Sequence, residues 1–554
     1  MKSPTEDQSK GEIIKYLNDL SARIVRIENH LGISDDNEVR EESERRSPET
    51  TEYLSSEEKE NLLEMRIGQF WFAKVGIAVF FIGIAFLMCF PFSNIPVTAS
   101  IVFGYLLSVS VFFLSKYWKE TYPHLSGYFL GGGMFLFYFT TLRLKFFGSE
   151  YAGQIITDSY TETILLVISV VVNLSAAVSR KSKYLVLFGL TFGYATAILS
   201  ESPFTTFTLL ALMSILAVYF RLKFNWYPFI FAGMILTYSA HLFQFANNIP
   251  AVNNLPAAML AGRAGLLFLL LYSVVFSFDN KIRKEQGAEN AAVIYSSILN
   301  GVGSYGLFLL INFVIKYESA PVYNLLASIT FISLAISFWI KEKSRYSTFI
   351  YAMLGYFALS VAIIYEFSSP AFFFLLCWQS VLVISTAVWF RSKFIILANF
   401  IIYIIIFITY LVMEGKVSSI SLSFGIAALI SARILNWKKD KLELKTEQMR
   451  SAYLLTALAI IPYALYHAMP PSLISVSWIG VAIIYYVLSI ILKSRKYRWM
   501  SLLTLLLTVG YVFIIGVTNE DPTYKIISFL ALGLVMLIIS ILYSKKKKSQ
   551  TKTG

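Results

Sequence analysis

The sequence has few charged residues, few cysteines and few histidines. Only 15% of its 554 residues are Asp, Glu, Lys or Arg, whereas soluble domains carry about 25%. Both cysteines, Cys89 and Cys377, lie in apolar runs, which excludes a secreted scaffold held by disulfides. Apolar residues make up 56% of the chain. This composition is typical of a membrane protein rather than of a water-soluble one.

Motifs for several common chemistries are also missing. There is no GxxxxGK[ST] sequence, which argues against ATP-driven pumping by this chain alone. The four histidines are scattered, and neither CxxC nor HExxH occurs, so we expect no metal site and no cofactor. No GxSxG elbow is present. We therefore expect no catalytic residues and favour a protein that is not an enzyme, with a membrane-embedded transferase left as an alternative.

Positive charge outweighs negative charge, with 47 Lys and Arg against 34 Asp and Glu. The excess is uneven: residues 1–66 hold 17 acidic and 10 basic side chains, and the rest of the chain is strongly basic. Its basic residues occur in short clusters between apolar runs, unlike the continuous basic face that binds nucleic acid. We expect these clusters to face anionic lipid headgroups, and we expect no nucleic-acid partner.

Residues 1–66 are polar and contain no apolar core of a signal peptide, so we expect them to stay in the cytoplasm. Residues 1–34 carry an apolar heptad seam that predicts a coiled-coil helix. The seam consists of Ile13, Leu17, Leu20, Ile24, Ile27 and Leu31. So short a helix is marginal alone in water, so residues 13–31 need a second copy or another protein as partner. An amphipathic helix on the bilayer or on the chain's own loops is the alternative. Residues 35–66 are acidic and aperiodic, which predicts a disordered tether.

From residue 67 to residue 544, apolar runs of membrane-spanning length follow one another closely. Because a helix of about 20 residues crosses the hydrocarbon layer, this region predicts an all-α polytopic transmembrane bundle of about 18 spans. The predicted centres lie near residues 80, 106, 133, 170, 192, 212, 236, 266, 302, 330, 356, 380, 404, 426, 459, 482, 507 and 533. Residues 545–554 form a basic tail.

The basic clusters fall on one side of this topology. With the N-terminus inside, 31 of the 37 Lys and Arg residues after residue 66 lie on the cytoplasmic side, as at 180–183, 391–393 and 493–498. This asymmetry follows the positive-inside rule. It predicts a multi-pass inner-membrane protein with both termini in the cytoplasm.

Two octapeptides suggest an internal repeat. Ala217–Phe224 reads AVYFRLKF, and Ala387–Phe394 reads AVWFRSKF. Three predicted hairpins separate them, so a duplicated helical hairpin would be a unit of roughly 57 residues. The alternative is that any cytoplasmic helix end tends to carry aromatic and basic residues, because these anchor at the membrane interface.

Polar residues inside predicted spans are costly to insert, so each is a candidate for function. Arg263 is the clearest, because it interrupts the run MLAGRAGLLFLLLYSVV and breaks the positive-inside rule. Other polar residues at a similar outer depth are Glu366, His241, Gln244, Arg143, Lys145 and His467. Together they would form a cationic outer pocket for a phosphate or carboxylate headgroup, with Glu366 as counter-ion. The alternative is that each extends separately to the headgroups.

Small residues in two predicted spans indicate close helix packing. The residues are Gly131, Gly132 and Gly133 in the third span and Asn300, Gly301 and Gly303 in the ninth. Small faces let helices approach closely in lipid. Hinges in broken helices at a substrate site are the alternative.

Three segments carry a resemblance to a known family. The stretch RIGQFWFAKVGIAVFFIGIAFL from Arg66, the GGG at 131–133 followed by YFTTLR, and LFGLTFGYATAIL with Gly189 and Gly193 look like its signatures. The chain thereby resembles an uncharacterised family of bacterial multi-span membrane proteins with an N-terminal coiled coil. The resemblance covers positions 1–200 and implies a bacterial inner-membrane location. It implies no catalytic residue.

Span number, glycine-rich helices and outer cations together predict a transporter or translocase-like protein for an amphipathic or anionic envelope molecule. A membrane scaffold that recruits a cytoplasmic partner through its coiled coil is the second hypothesis. A membrane-embedded transferase is the third.

Overall fold

The computed structural model describes most of the apolar region. The described residues are 72–89, 96–146, 155–252, 256–280, 291–315, 319–342, 344–414, 419–437 and 447–514, with isolated helical positions at 530, 533, 534 and 537. The predicted coiled coil, tether and basic tail lie outside them, as does the eighteenth span apart from those four positions.

Within these ranges the chain forms seventeen α-helices and no strand, which confirms the all-α prediction there. The helices are α1 (Phe72–Cys89), α2 (Val97–Tyr117), α3 (Pro123–Leu142), α4 (Ser159–Ser179), α5 (Lys183–Leu199), α6 (Pro203–Phe224), α7 (Pro228–Val252), α8 (Pro256–Ser277), α9 (Ala291–Ile315), α10 (Ala320–Ser337), α11 (Arg345–Glu366), α12 (Ala371–Trp389), α13 (Lys393–Glu414), α14 (Ser419–Trp437), α15 (Glu447–Ala468), α16 (Pro471–Ile491) and α17 (Arg495–Ile514). Each of the first seventeen predicted centres lies inside one of them.

Thirteen of these helices are long and apolar enough to cross a membrane: α2, α3, α4, α6, α7 and α9 to α16. Three shorter apolar helices are described over Val75–Met88, Lys183–Leu199 and Gly262–Ser277. Large apolar side chains point outward along them, and Phe86 and Val412 are 72% and 77% exposed. Outward apolar residues match a lipid surrounding, so the chain is a multi-pass membrane protein.

The chain divides into two compact units, residues 1–157 and 158–554. In the first unit, α3 packs against both α1 and α2. Phe81 of α1, Val111 of α2 and Leu136 of α3 form its buried core. Ser115 and Ser126 each donate a hydroxyl hydrogen bond to the other's backbone carbonyl, at 2.8 and 2.6 Å. Two hydroxyls thus tie the end of α2 to the start of α3.

In the second unit, hydrogen bonds between helices recur every four helices. The amide of Asn300 on α9 donates to the Tyr351 hydroxyl on α11 at 2.9 Å. The amide of Asn399 on α13 donates to the Tyr453 hydroxyl on α15 at 3.1 Å. On α5, the Tyr194 hydroxyl lies 3.0 Å from that of Thr237 on α7. In every case the second helix of a group of four bonds to the fourth.

The contacts between the first and second helices of a group repeat as well. Asn399 donates to the carbonyl of Ser380 at 3.2 Å, and Ser501 donates to that of Ala482 at 2.8 Å. The donor and the acceptor of the second bond lie the same number of residues further along the chain than the donor and the acceptor of the first bond. Asn300 likewise donates to a carbonyl of the preceding helix, α8. The groups are α4 to α7, α8 to α11 and α12 to α15, with α16 and α17 opening a fourth.

The same turn joins the first and second helices in three groups. Lys181, Arg391 and Lys493 adopt left-handed backbone angles, with φ of 49°, 51° and 48°. Glycine is the usual residue at such a helix end, because a side chain there is strained. A serine follows each of the three, then a basic residue that begins the next helix. At each of these turns the chain thus has a basic residue where a glycine would be less strained.

These contacts indicate a four-helix unit of about 100 residues rather than the two-helix unit predicted from the octapeptides. AVYFRLKF lies within α6, the third helix of its group, whereas AVWFRSKF runs from α12, a first helix, into the turn and α13. Their similarity therefore reflects a shared position at helix ends, where aromatic and basic residues anchor.

Candidate functional site

Helix α7 carries a column of buried polar side chains. Thr237, Tyr238, His241 and Gln244 are all less than one-tenth exposed. Their spacing of three and four residues places them on one side of the helix. Because most of the other residues of α7 are apolar, this column brings polar groups into a buried part of the second unit. Two of them, His241 and Gln244, belong to the outer pocket predicted from the sequence.

At the level of Tyr238, the polar side chains of this column are fully hydrogen-bonded. The Tyr238 hydroxyl donates to the amide oxygen of Asn300 at 2.6 Å. The amide nitrogen of Asn300 donates to the Ser273 carbonyl at 2.8 Å and to Tyr351. One asparagine therefore joins α7, α8, α9 and α11, and its donors and acceptor are all used. We assign this cluster to helix packing.

His241 differs from these neighbours. Its side chain is 1% exposed, and neither ring nitrogen has a hydrogen-bond partner within the part of the chain that the structure describes. The imidazole stacks on Phe207 of α6, with ring centres 4.5 Å apart and planes tilted by 21°. Tyr272 of α8 meets it edge-on at 5.8 Å. Among the described residues, aromatic contacts rather than hydrogen bonds hold the ring.

Gly265 of α8 makes room for this histidine. A methyl group built on Gly265 would lie 3.3 Å from the Nε2 atom of His241 and 3.2 Å from the Phe207 ring. The Tyr272 hydroxyl donates to the Phe207 carbonyl at 3.0 Å, which ties α8 to α6 beside the imidazole. Three helices thus close around His241.

The other predicted pocket residues lie elsewhere. Arg263 is exposed on α8, two residues from Gly265 and therefore about 200° around the helix from it. Glu366 and His467 are exposed near the ends of α11 and α15. Arg143 follows α3 in the first unit and is 6% exposed. The structure thus places His241 and Gln244 on one buried face, and places Arg263 on the outer surface of the neighbouring helix.

Four of the five glycines singled out in the sequence lie at close contacts. A methyl group on Gly132 would approach the Phe81 ring to 1.9 Å, and one on Gly133 would lie 3.1 Å from Val111. A methyl group on Gly301 or Gly303 would approach Leu354 or Tyr238 to 2.4 or 2.8 Å. These positions are occupied by neighbouring helices, which is the geometry of close packing.

A buried ion pair was not predicted from the sequence. Arg221, near the end of α6, lies with its Nε atom 2.9 Å from a carboxylate oxygen of Asp279, in the turn after α8. Its guanidinium also lies 3.7 Å from the ring centre of Tyr227 and donates to the Asn225 side chain at 3.1 Å. In the sequence, Arg221 stands only as part of AVYFRLKF, a segment typical of a cytoplasmic helix end. Only the charge of Asp279, isolated after a long apolar run, could have indicated a partner.

Burial raises the pKa of the Asp279 carboxyl, and the adjacent Arg221 guanidinium opposes part of that increase. Over the described ranges, no group of three or more His, Cys, Asp or Glu side chains is placed to hold a metal ion. No protein family, curated protein or solved structure matches this chain.

Proposed function

We propose that this chain is a bacterial inner-membrane protein with about 18 spans and both termini inside, and that it moves an amphipathic, anionic envelope molecule across the bilayer. Its coiled coil, residues 13–31, would bind a second copy or a cytoplasmic partner.

The exposed position of Arg263 supports the proposal most strongly. An arginine at the centre of a span costs roughly 2.5 to 3.5 kcal/mol to insert, so such residues are retained for function. Arg263 is the eighth residue of α8, about 10 Å along the helix from Pro256. From this depth its guanidinium can reach a phosphate or carboxylate at the outer headgroup level. A lipid-like anion beside α8 would thus meet a charged donor with apolar surface below it.

The proposal is tested in vesicles of phosphatidylcholine and phosphatidylglycerol that contain the purified full-length protein. The probe is phosphatidylglycerol with a fluorescent NBD group, and dithionite destroys the NBD groups that reach the outer leaflet. We expect the wild-type protein to expose inner-leaflet probe faster than protein-free vesicles do. A charge-assisted hydrogen bond contributes about 1.5 to 3 kcal/mol, so Arg263→Ala lowers this rate by at least about tenfold.

Four controls sharpen the result. Arg263→Lys keeps the charge and should retain most of the rate, and Arg345→Ala removes an exposed arginine at the start of α11 and should not change it. NBD-phosphatidylcholine, which has no net charge, should move more slowly and respond less to Arg263→Ala. Deletion of residues 1–66 should leave the flux intact, whereas a scaffold would lose its cellular role. Flux equal to that of protein-free vesicles would refute transport of this lipid class.

A further inference from the structure

His241 occupies an environment that favours an apolar ring. A buried polar group without a partner is unfavourable, because it has lost its hydrogen bonds to water. A phenylalanine would keep the stacking on Phe207 and the edge contact with Tyr272 without that cost. The property that an imidazole adds to this contact is the ability to take up a proton once the ring is in contact with water.

The groups around His241 do not supply a counter-charge. Helices α5, α6, α8 and α9 pack against α7. Their titratable side chains near this level are Tyr194 of α5 and Tyr272 of α8, and α7 itself adds Tyr238; all are neutral at ordinary pH. On α6, Phe207 faces the ring, and Arg221 lies about 21 Å further along the helix. Asn300 of α9 contacts Tyr238, and the Arg263 charge is exposed on the opposite side of α8.

Protonation would therefore make the described arrangement unfavourable. An imidazolium has two N–H donors and a full charge, and burial of an unpaired charge is strongly unfavourable. Gly265 offers no side chain, and the facing rings of Phe207 and Tyr272 offer no carboxylate. The charge can be hydrated only if α7 separates from α8 or α6 at this level. Neutral His241 thus stabilises the closed arrangement, and protonated His241 destabilises it.

We propose that His241 is a proton-binding site and that occupancy by a proton opens the contact between α7 and α8. The role of this opening as the step that couples proton binding to transport rests on the proposed function. The proton-driven opening itself requires no substrate. It therefore explains why a histidine, rather than a phenylalanine, lies between three helices at the depth of the membrane.

The test measures the distance between α7 and α8 as a function of pH. Both native cysteines, Cys89 and Cys377, are replaced by serine, and spin labels are attached to Ile235→Cys and Leu271→Cys. These two positions are exposed, and they are equally far along their helices from His241 and from Gly265. Dipolar EPR spectra of the full-length protein in lipid nanodiscs are recorded at about pH 8 and about pH 5, which bracket imidazole titration.

We expect one distance near pH 8 and a second, longer population near pH 5 that reaches at least about one tenth of the molecules. His241→Phe should keep the closed distance at both pH values, and His241→Leu serves as a second variant if the first does not fold. His124→Phe, at an exposed histidine in the first unit, should retain the wild-type response. Wild-type spectra that do not change with pH, or a pH response that persists in His241→Phe, would overturn the proposal.

The lipid-flux measurement and the distance measurement test the two proposals independently. Flux of NBD-phosphatidylglycerol without a pH-dependent distance would remove the proton switch and leave the transport proposal. A pH-dependent distance that requires His241, in a protein without flux of that lipid, would support the switch and remove the proposed substrate.

Discussion

The guanidinium of Arg221 and the carboxylate of Asp279 lie 2.9 Å apart, and both side chains are almost completely withdrawn from solvent. Arg221 lies near the end of α6, and Asp279 lies in the turn that follows α8. The pair therefore joins two helix ends that are far apart in the sequence, with all of α7 and α8 between them. Stacking of Arg221 on Tyr227 covers one face of the guanidinium. The same two helices also close around His241 deeper in the unit.

Removing one partner of this pair should destabilise the protein strongly. Arg221→Ala leaves a buried carboxylate unpaired, and such a change costs about 3 to 5 kcal/mol of unfolding free energy. The double variant Arg221→Met with Asp279→Leu replaces both charges by apolar groups and should recover most of the loss. Thermal unfolding in detergent measures both. Equal stability of Arg221→Ala and wild type would show that the ion pair does not contribute to the free energy of unfolding.

The penalty of Arg221→Ala should also depend on pH. Burial raises the Asp279 pKa and Arg221 opposes this, so removal of Arg221 raises that pKa further. A carboxyl with a raised pKa in the folded state supports folding while protonated and loses this contribution as pH rises through that pKa. The penalty should therefore be smallest near about pH 4, the ordinary Asp value, and increase towards neutral pH. In an Asp279→Asn background, this pH dependence should disappear.

Two glycines of α3 offer a matched comparison of packing. A methyl group on Gly132 would overlap the Phe81 ring at 1.9 Å, whereas one on Gly127 would meet nothing within 4 Å. Phe81 is 2% exposed and packs against Val111 and Leu136, so it cannot easily move. We expect Gly132→Ala to lower the melting temperature, at a cost of about 1 to 3 kcal/mol. Gly127→Ala should be neutral or slightly stabilising, because alanine favours a helix.

The two equivalent asparagines of the second unit should differ in their contribution. Asn300 bonds to Ser273, Tyr351 and Tyr238, whereas Asn399 has no counterpart of Tyr238 among its hydrogen bonds in the described ranges. Each lost bond costs about 1 kcal/mol, and the partners left unpaired add to this. Asn300→Leu should therefore reduce thermal stability more than Asn399→Leu does. The reverse order would contradict the assignment of Asn300 as the packing centre.

Membrane orientation can be measured with single cysteines in a background without Cys89 and Cys377. Arg391→Cys lies in an exposed turn that we expect on the cytoplasmic side, and Ser368→Cys lies in the exposed turn after α11 on the opposite side. An impermeant maleimide added to intact cells should label Ser368→Cys and spare Arg391→Cys until the cells are lysed. Labelling of Arg391→Cys in intact cells would invert the proposed topology.

Helix positions could be predicted because of a constraint that acts locally. Backbone groups in hydrocarbon must be hydrogen-bonded within the chain, so an apolar run of sufficient length forms a helix whatever surrounds it. The first seventeen predicted centres accordingly fall inside helices. The size of the repeat unit could not be predicted from the local sequence in the same way. AVYFRLKF and AVWFRSKF are similar because both end a helix near the membrane interface, although their helices occupy different places in the four-helix unit.

Local sequence patterns could not show which polar side chains are buried and which residues they contact. Arg263 and His241 have comparable signals in the sequence, as polar residues in apolar runs at similar depth, yet one is exposed and the other is 1% exposed. In a soluble helix the apolar face identifies the buried side. In lipid both sides are apolar, so this asymmetry is weak.

The amino-acid sequence by itself determined that the chain forms successive apolar helices and where along the chain they occur, because each helix satisfies its own backbone. Tertiary structure alone decided that Asn300 joins four helices, that Arg221 meets Asp279, and that His241 is enclosed by Phe207, Tyr272 and Gly265. These relationships depend on how helices far apart in sequence are rotated against one another. That rotation is set by packing and hydrogen bonding between them rather than by the order of residues within any one helix.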